Sequence, residues 1–412
     1  MSIENAITCI DIGSSKIRTV IGEFVGDDKK QLHILGVGIS NSNAIRKGNI
    51  LDMEEFKQNI DKSLEDAEKM SGFQTTGVFI SFNSSSFEVI NNKGIIAISG
   101  DEIEVSDIER VLDMVKSGVL LQNREVLKVI PDNFTVDLEE GIKSPIGMNA
   151  RKLEVNANIF SISSNILNNI KKSIESGIGV EVYDIFPNLI SSPEGVLSKR
   201  QKELGVVCVD IGSSTTGITV FEEGSLIFSS IIPIGGDSVT NDIALGLRTS
   251  IDTAEKLKLD FGELSLEKIE GFKDSEIDFS KISSQEEGTF SVLYLSKIIT
   301  ARYEEILHFI KQELKKIQRD GMLPEGAVFV GGGSKMRGLV ELSKESLRLP
   351  VSIGVPKFDE SVSDASINDP SFAGVLGTII LTNKYRDARN VISFNIGSLF
   401  GSIIKVFKKL LP

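Results

Sequence analysis

The stretch T-C-I-D-I-G-S-S-K at residues 8–16 returns as V-C-V-D-I-G-S-S-T at residues 207–215. Each copy runs from apolar β-formers into an Asp-Ile-Gly-Ser-Ser turn and out again into β-formers. The two aspartates, Asp11 and Asp210, are 199 positions apart. A chain that repeats a strand–turn–strand unit at this distance is constrained to fold as two similar lobes. Aspartate, glycine and serine favour ordinary hairpin turns as well. Two copies of the same turn point instead to a phosphate chain gripped from both sides.

The chain has 412 residues, enough for two or more domains with a large core. A formal net charge of −13 argues against nucleic acid as the main partner, because phosphate backbones demand a basic face. No basic region followed by an apolar run precedes the first strand, so no secretory leader is expected. No apolar stretch reaches the ~20 residues of a spanning helix. Two cysteines make no disulfide framework, and a reducing compartment fits. Cys9 and Cys208 read as small buried hydrophobes inside strands. His33 and His308 have no metal-spaced partner, so no zinc site is expected.

Strands are expected at 17–24, 32–38 and 78–81. A helix follows Asp52, with Glu55 as capping-box partner and an apolar stripe of Phe56, Ile60, Leu64 and Ala67. From 83 to 163 the texture changes: strand-like runs at 86–90, 95–99, 126–130 and 153–162 surround one helix that starts at Ser106 with Glu109. This reads as an inserted α+β subdomain within an α/β chain. Helices are expected at 165–176, 237–248, 253–259 and 293–320. Residues 262–290 carry eight acids against three lysines and read as a solvated lobe. A strand at 327–330 runs into Gly331-Gly332-Gly333-Ser334, with a helix from about Lys335 and another from Pro370 to Lys384.

Each Asp-Ile-Gly-Ser-Ser turn offers three tools. Gly13 and Gly212 let the backbone approach a phosphate without a Cβ clash. Successive N–H groups and the hydroxyls of Ser14, Ser15, Ser213 and Ser214 can donate to phosphate oxygens. Asp11 and Asp210 can hold Mg²⁺ through its water shell. Lys16 adds charge in the first copy; Thr215 and Thr216 supply hydroxyls in the second. The third glycine turn offers N–H groups to phosphate or ribose and leaves room for a flat base. Glu255 and Lys258 share a helix face, where they could bracket ribose hydroxyls or form a surface ion pair.

Two such loops, a later G-G-G-S turn and a helix carrying A-E-K-L-K resemble the actin-like ATPase superfamily. Within it the chain resembles the FtsA family of bacterial cell division proteins. The carrying motifs are G-N-I-L-D-M (48–53), S-P-I-G-M (144–148), G-G-D-S-V-T-N-D-I-A (235–244) and G-G-G-S-K-M (331–336). The resemblance implies a two-lobed actin-like ATPase fold with an inserted α+β subdomain and a C-terminal amphipathic helix. The first lobe would comprise 1–82, 164–203 and 362–385, with the insert at 83–163. The second would comprise 204–242 and 305–361, with its small subdomain at 243–304. A tether (386–397) and a membrane helix (398–412) would follow.

The implied cofactors are ATP and Mg²⁺. Asp11, Gly13, Ser14, Ser15 and Lys16 would hold phosphates and metal waters from the first lobe. Asp210, Gly212, Ser213, Ser214 and Thr215 would do so from the second, with Gly235 and Gly236 beside them. Glu255 and Lys258 would meet the ribose, and Gly332, Gly333, Ser334 and Met336 the nucleoside. Several members of the superfamily carry Glu-Pro before the second loop, the glutamate positioning water. Here Phe186 precedes Pro187, with Asp184 nearby, so slow or undetectable hydrolysis is expected. The implied partners are the FtsZ C-terminal tail, with Arg302 as a contact, a second copy of the chain in a protofilament, other division proteins and the cytoplasmic membrane. The implied place is the cytoplasmic face of the cell membrane at the division site. A PilM-like pilus-assembly role and a small-molecule kinase are the alternatives.

The fourteen residues 398–411 support the membrane reading on their own. Leu399, Phe400, Ile403, Ile404, Phe407, Leu410 and Leu411 form one apolar face, edged by Lys405, Lys408 and Lys409. The segment is too short to span a bilayer but suits an interfacial helix. A terminal helix docked on its own domain is the other reading, against which the polar run at 383–395 reads as a tether.

Overall fold

In the computed structural model, which describes residues 6–26, 31–119, 122–265, 271, 275–282, 286–356 and 367–390, each repeat is a strand–turn–strand unit. Strand β1 (Ile7–Ile12) enters the first turn and β2 (Lys16–Val25) leaves it antiparallel, with Asp11 opposite Arg18. β3 (Gln31–Asn41) continues the meander. A small hairpin of β4 (Ile45–Arg46) and β5 (Asn49–Ile50) leads to helix α1 (Met53–Ser71), and β6 (Gly77–Phe82) returns parallel to β1. Asp52 caps α1 by accepting from the Glu54 and Glu55 amides. The expected stripe of Phe56, Ile60, Leu64 and Ala67 is buried.

The insert is a separate layer with its own core. β7 (Glu88–Ala97), α2 (Val105–Ser117), β8 (Arg124–Val136), β9 (Glu139–Ile142) and β10 (Lys152–Ser163) form an antiparallel sheet, order β7-β10-β8-β9, with α2 packed on it. Two expectations need correction. The cap of α2 is Glu104, which makes a reciprocal box with Asp107, so the helix begins before Ser106. The runs 86–90 and 95–99 belong to one strand: the polar residues 91–93 interrupt the apolar pattern of an edge strand but not its pairing with β10.

The chain then returns to the first lobe through α3 (Ser164–Glu175) and β11 (Glu181–Pro187), which lies parallel to β6. Helices α4 (Asn188–Val196) and α5 (Lys199–Leu204) lead to the second unit. There β12 (Val206–Ile211), β13 (Thr216–Glu222) and β14 (Ser225–Ile232) form the meander, followed by α6 (Gly236–Leu247) and α7 (Ile251–Phe261). The pair β15 (Glu276–Asp278) and β16 (Thr289–Ser291) precedes the long α8 (Val292–Lys316). β17 (Ala327–Val330), α9 (Leu339–Leu347), β18 (Val351–Ile353) and α10 (Ala373–Asn390) complete the described chain. The two sheets, β3-β2-β1-β6-β11 and β14-β13-β12-β17-β18, share one topology: a three-stranded antiparallel meander extended by two parallel strands.

The third glycine turn differs from expectation. Gly332–Lys335 form a single 3₁₀ turn, and the helix starts only at Leu339, after Gly338 turns the chain at φ 80°. Residues 386–390, counted with the tether, continue α10. Residues 398–412 lie outside the described chain. Among the described residues, no helix is long and apolar enough to cross a membrane.

Small residues bring α4 and α10 into backbone contact between the lobes. A Cβ on Gly377 would lie 1.8 Å from the Ser191 carbonyl oxygen, and one on Gly195 would lie 2.5 Å from that of Ala373. Thr378 Oγ1 donates to Ser191 Oγ at 2.9 Å or accepts from it. At the far end of α4, Glu194 is buried between Lys202 and Lys384, the latter at 2.7 Å. Burial alone would raise this carboxyl; the two lysines overcome it and hold it down at about 2. Gly377→Val should therefore destabilise the protein by about 3 kcal/mol or more, read as a lower denaturant midpoint at unchanged m-value; an unchanged midpoint would contradict this packing.

Candidate functional site

The three glycine turns open onto one cavity of about 780 Å³ between the lobes. Sixteen of the eighteen residues assigned to nucleotide and metal line it; Gly235 and Ser334 do not. Those two act one layer back. A Cβ on Gly235 would lie 2.6 Å from the carbonyl oxygens of Gly212 and Ser213, so only glycine lets α6 begin against the second loop. Ser334 Oγ donates to the Gly331 carbonyl at 2.7 Å and holds the third turn closed.

Both phosphate-type loops share one geometry. Gly13 N donates to Lys16 O at 3.2 Å, and Gly212 N donates to Thr215 O at 2.9 Å. The first loop meets the second through Ser14 Oγ and Ser214 Oγ, 2.6 Å apart, and Ser214 Oγ also accepts from Lys47 N at 2.9 Å. The second loop is clamped by the start of α6: Gly236 N donates to Gly212 O at 3.0 Å, Asp237 N to Ser213 O at 2.7 Å, and Ser213 Oγ to the Asp237 carboxylate. Of the hydroxyls a phosphate would use, Ser14 and Ser214 thus bond each other and Ser213 bonds Asp237. Lys16 is exposed where it lines the cavity.

Asp11 and Asp210 stand at the ends of the matched strands; Asp11 is buried and Asp210 is partly buried. Ser81 Oγ and Asn188 Nδ2 donate to Asp11 Oδ1 at 3.2 and 2.9 Å, and Arg18 Nη1 lies 3.9 Å from Oδ2. Ser192 Oγ donates to Asp210 Oδ2 at 2.8 Å. Burial pushes both carboxyls up. Asp210 reaches about 6, because burial outweighs the Ser192 bond and the charge of Asp11 adds to it, while Arg18 pulls the other way. Two largely desolvated, mutually repelling carboxylates on a cavity with room for hydration are a donor set that suits Mg²⁺ with most of its waters. Gly331, at φ 82°, is needed here, since a Cβ would lie 2.4 Å from Asp210 Oδ1.

On the second lobe, Lys258 Nζ donates to Glu255 Oε2 at 2.6 Å, to Thr240 Oγ1 at 2.8 Å and to Gly236 O at 3.3 Å. Lys258 is buried, whereas the Glu255 side chain is 41% exposed, so the glutamate is the group free to meet a ligand hydroxyl. Tyr303 Oη donates to Gly333 O at 2.8 Å and fixes the third turn from α8. Met336 and Arg337 close the same side, Arg337 by donating to Gly262 O and Asp260 O.

Sequence reasoning missed several members of this site. Arg18 was legible in principle, as the cross-strand partner of Asp11 in a strand–turn–strand unit. Asn188 and Ser192 gave no signal, because α4 reaches the carboxylates only through tertiary contact. Phe186 is buried, with Lys128 Nζ 4.1 Å from its ring centre, and Asp184 is paired to the same lysine at 2.5 Å. Arg302 is not on the cavity. Its guanidinium forks onto Asp242 at 2.6 and 2.9 Å and also pairs with Glu305. Cys9 and Cys208 are buried, and burial pushes both thiols up.

The raised carboxyl has a testable sign. Asp210 binds its proton more tightly folded than unfolded, so its ionisation destabilises the ligand-free protein; the cost is full above pH 6 and fades as pH falls from 6 to about 4. Asp210→Asn should be more stable than the parent at pH 7.5 by of order 1–3 kcal/mol, with about half of that gap left at pH 5 and most of it gone at pH 4. Thermal unfolding in EDTA without nucleotide reads this; an equal gap at all three pH values would contradict it.

The chain also resembles known proteins over most of its length. The family "Cell division protein FtsA" matches residues 207–377, and "SHS2 domain inserted in FTSA" matches residues 84–161. The chain is 33% identical over 374 residues to cell division protein FtsA of Pseudomonas aeruginosa, covering 91% of this chain and 88% of that one. It is 32% identical to the Bacillus subtilis protein, covering 90% and 82%. Among solved structures, a PilM–PilN type IV pilus biogenesis complex aligns with a TM-score of 0.64 at 14% identity, covering 91% and 97%. MreB5 of Spiroplasma citri bound to ADP aligns with a TM-score of 0.53 at 14% identity, covering 94% and 99%.

Proposed function

The chain belongs to the FtsA family of cell division proteins, and from that premise we propose that it is an ATP-binding, actin-like adaptor that tethers the FtsZ ring to the cytoplasmic membrane. The observation that carries the nucleotide reading is the convergence of two matched phosphate-type loops and a third glycine turn on one cleft. Phosphates would lie between residues 13–16 and 212–215, in place of the Ser14–Ser214 bond. The base would lie by Gly332, Gly333 and Met336, and the ribose by Glu255. Mg²⁺ would supply charge neutralisation between Asp11 and Asp210. MreB5 of Spiroplasma citri has been solved bound to ADP and to AMPPNP, which supports a nucleotide in a fold of this kind.

Identity near one third to division proteins favours this reading over the PilM-like one, whose likeness at 14% identity is one of fold. It likewise outweighs the kinase reading. Buried Phe186 in the place of a water-polarising glutamate supports slow hydrolysis. Self-association into a protofilament and contacts with other division proteins belong to the same proposal. Arg302 is the proposed contact for the acidic FtsZ tail, which would displace Asp242 and Glu305.

Residues 398–412 are the proposed membrane contact. One large apolar side chain is worth ~1.5–3 kcal/mol on full burial, and an interfacial helix buries its face only in part. A single tail would bind reversibly, and several tails on one polymer far more strongly. Deleting 398–412 should abolish co-sedimentation with anionic liposomes; unchanged sedimentation would remove the tail from the account. Gly333→Val, whose side chain would enter Ile211 at 2.4 Å, should weaken ATP·Mg²⁺ at least tenfold by equilibrium titration. Unaltered affinity would place the nucleotide elsewhere.

A further inference from the structure

We infer that Asn188 orients the water that attacks the terminal phosphate, so that this chain hydrolyses ATP slowly through an amide. The inference rests on the nucleotide reading above. Asn188 opens α4 and lines the cleft, yet is only 9% exposed. Its amide orientation is settled by chemistry. Asp11 Oδ1 can only accept, so the NH₂ group must face it, at 2.9 Å. The amide oxygen is thereby turned away from Asp11, and it is buried with no hydrogen-bond partner. An orphaned, enclosed acceptor calls for a donor. It has no surface open to water in this structure, so the water inferred would reach it as the cleft opens around a nucleotide, and would then stand beside the carboxylate proposed to face the metal and the phosphates.

The surroundings keep the amide in place. A Cβ on Gly374, in the first turn of α10, would lie 2.9–3.0 Å from the Asn188 amide atoms, so glycine leaves the notch the amide occupies. Phe186, two residues earlier, is apolar and buried, and Asp184 is bound to Lys128. Asn188 therefore offers an acceptor where those two do not.

An amide oxygen can align a water but cannot take its proton. In the step inferred, the water oxygen forms the new bond to the γ-phosphorus. The bond to the bridging oxygen breaks, its electron pair leaving with ADP. The water proton passes to an oxygen of the phosphate being transferred. Positioning without a base yields a slow reaction.

The test compares binding of ADP with that of ADP–aluminium fluoride, which mimics the transferring phosphate with its attacking water. Full-length protein is titrated with each in Mg²⁺, as the parent, Asn188→Ala and Gly374→Ala. The parent should bind the fluoride complex at least tenfold more tightly than ADP. Asn188→Ala should lose most of that ratio: whatever it costs ADP by releasing Asp11, it should cost the fluoride complex several-fold more. Gly374→Ala, which displaces the amide without removing it, should lower the ratio in part. A ratio unchanged in Asn188→Ala would overturn the inference and leave nucleotide binding standing. So would a loss of ADP affinity equal to the loss for the fluoride complex. No binding of either ligand by the parent would overturn the nucleotide reading and this inference together.

Discussion

Two carboxylates near each other between the lobes set the terms for the elements around them. Asp11 and Asp210 end equivalent strands of equivalent sheets; Asp11 is buried, Asp210 is partly so, and desolvation raises both. Their neighbours answer that cost from every side: Ser81 from β6, Arg18 from β2, Asn188 and Ser192 from α4. Short helix α4 touches both carboxylates, one turn apart, and so ties the two lobes through them. The close glycine contact between α4 and α10 holds that helix in register. Burial, with the charge of Asp11 added to it, raises Asp210, and a cation between the aspartates would offset both.

The cleft is poised rather than preformed. Ser14 and Ser214 bind each other, and Lys258, Glu255 and Thr240 form a closed hydrogen-bonded set. A phosphate or ribose would exchange these bonds for its own, at little net cost in hydrogen bonding. The glycines let the three turns close against their own neighbours. Gly13, Gly212, Gly331 and Gly333 each face an atom that a Cβ would crowd, and these positions come from both copies of the repeat and from the third turn.

The repeat made the fold legible. Two copies of one turn, each with its aspartate at a strand end, foretold two lobes with matched sheets, and the change of texture after residue 83 foretold the insert. The loop residues were legible for the same reason: glycine, serine and aspartate at fixed offsets carry their chemistry locally. What escaped was set by tertiary contact. Asn188 and Ser192 lie on a helix whose sequence says nothing of the carboxylates it meets. Arg302 looked free on a long helix, but Asp242 comes from α6, 60 residues away. The start of α2 was misplaced because Glu104 is an uncommon cap, and the third turn because Gly338 delays the helix that the pattern placed at Lys335.

The most direct test of the central claim is an experimental structure of the chain with ATP and Mg²⁺. The account predicts phosphates between residues 13–16 and 212–215, a hydrated metal between Asp11 and Asp210, and the base against Gly333 and Met336. A nucleotide bound outside this cleft, or a cleft still closed by the Ser14–Ser214 bond at saturating ATP, would contradict it.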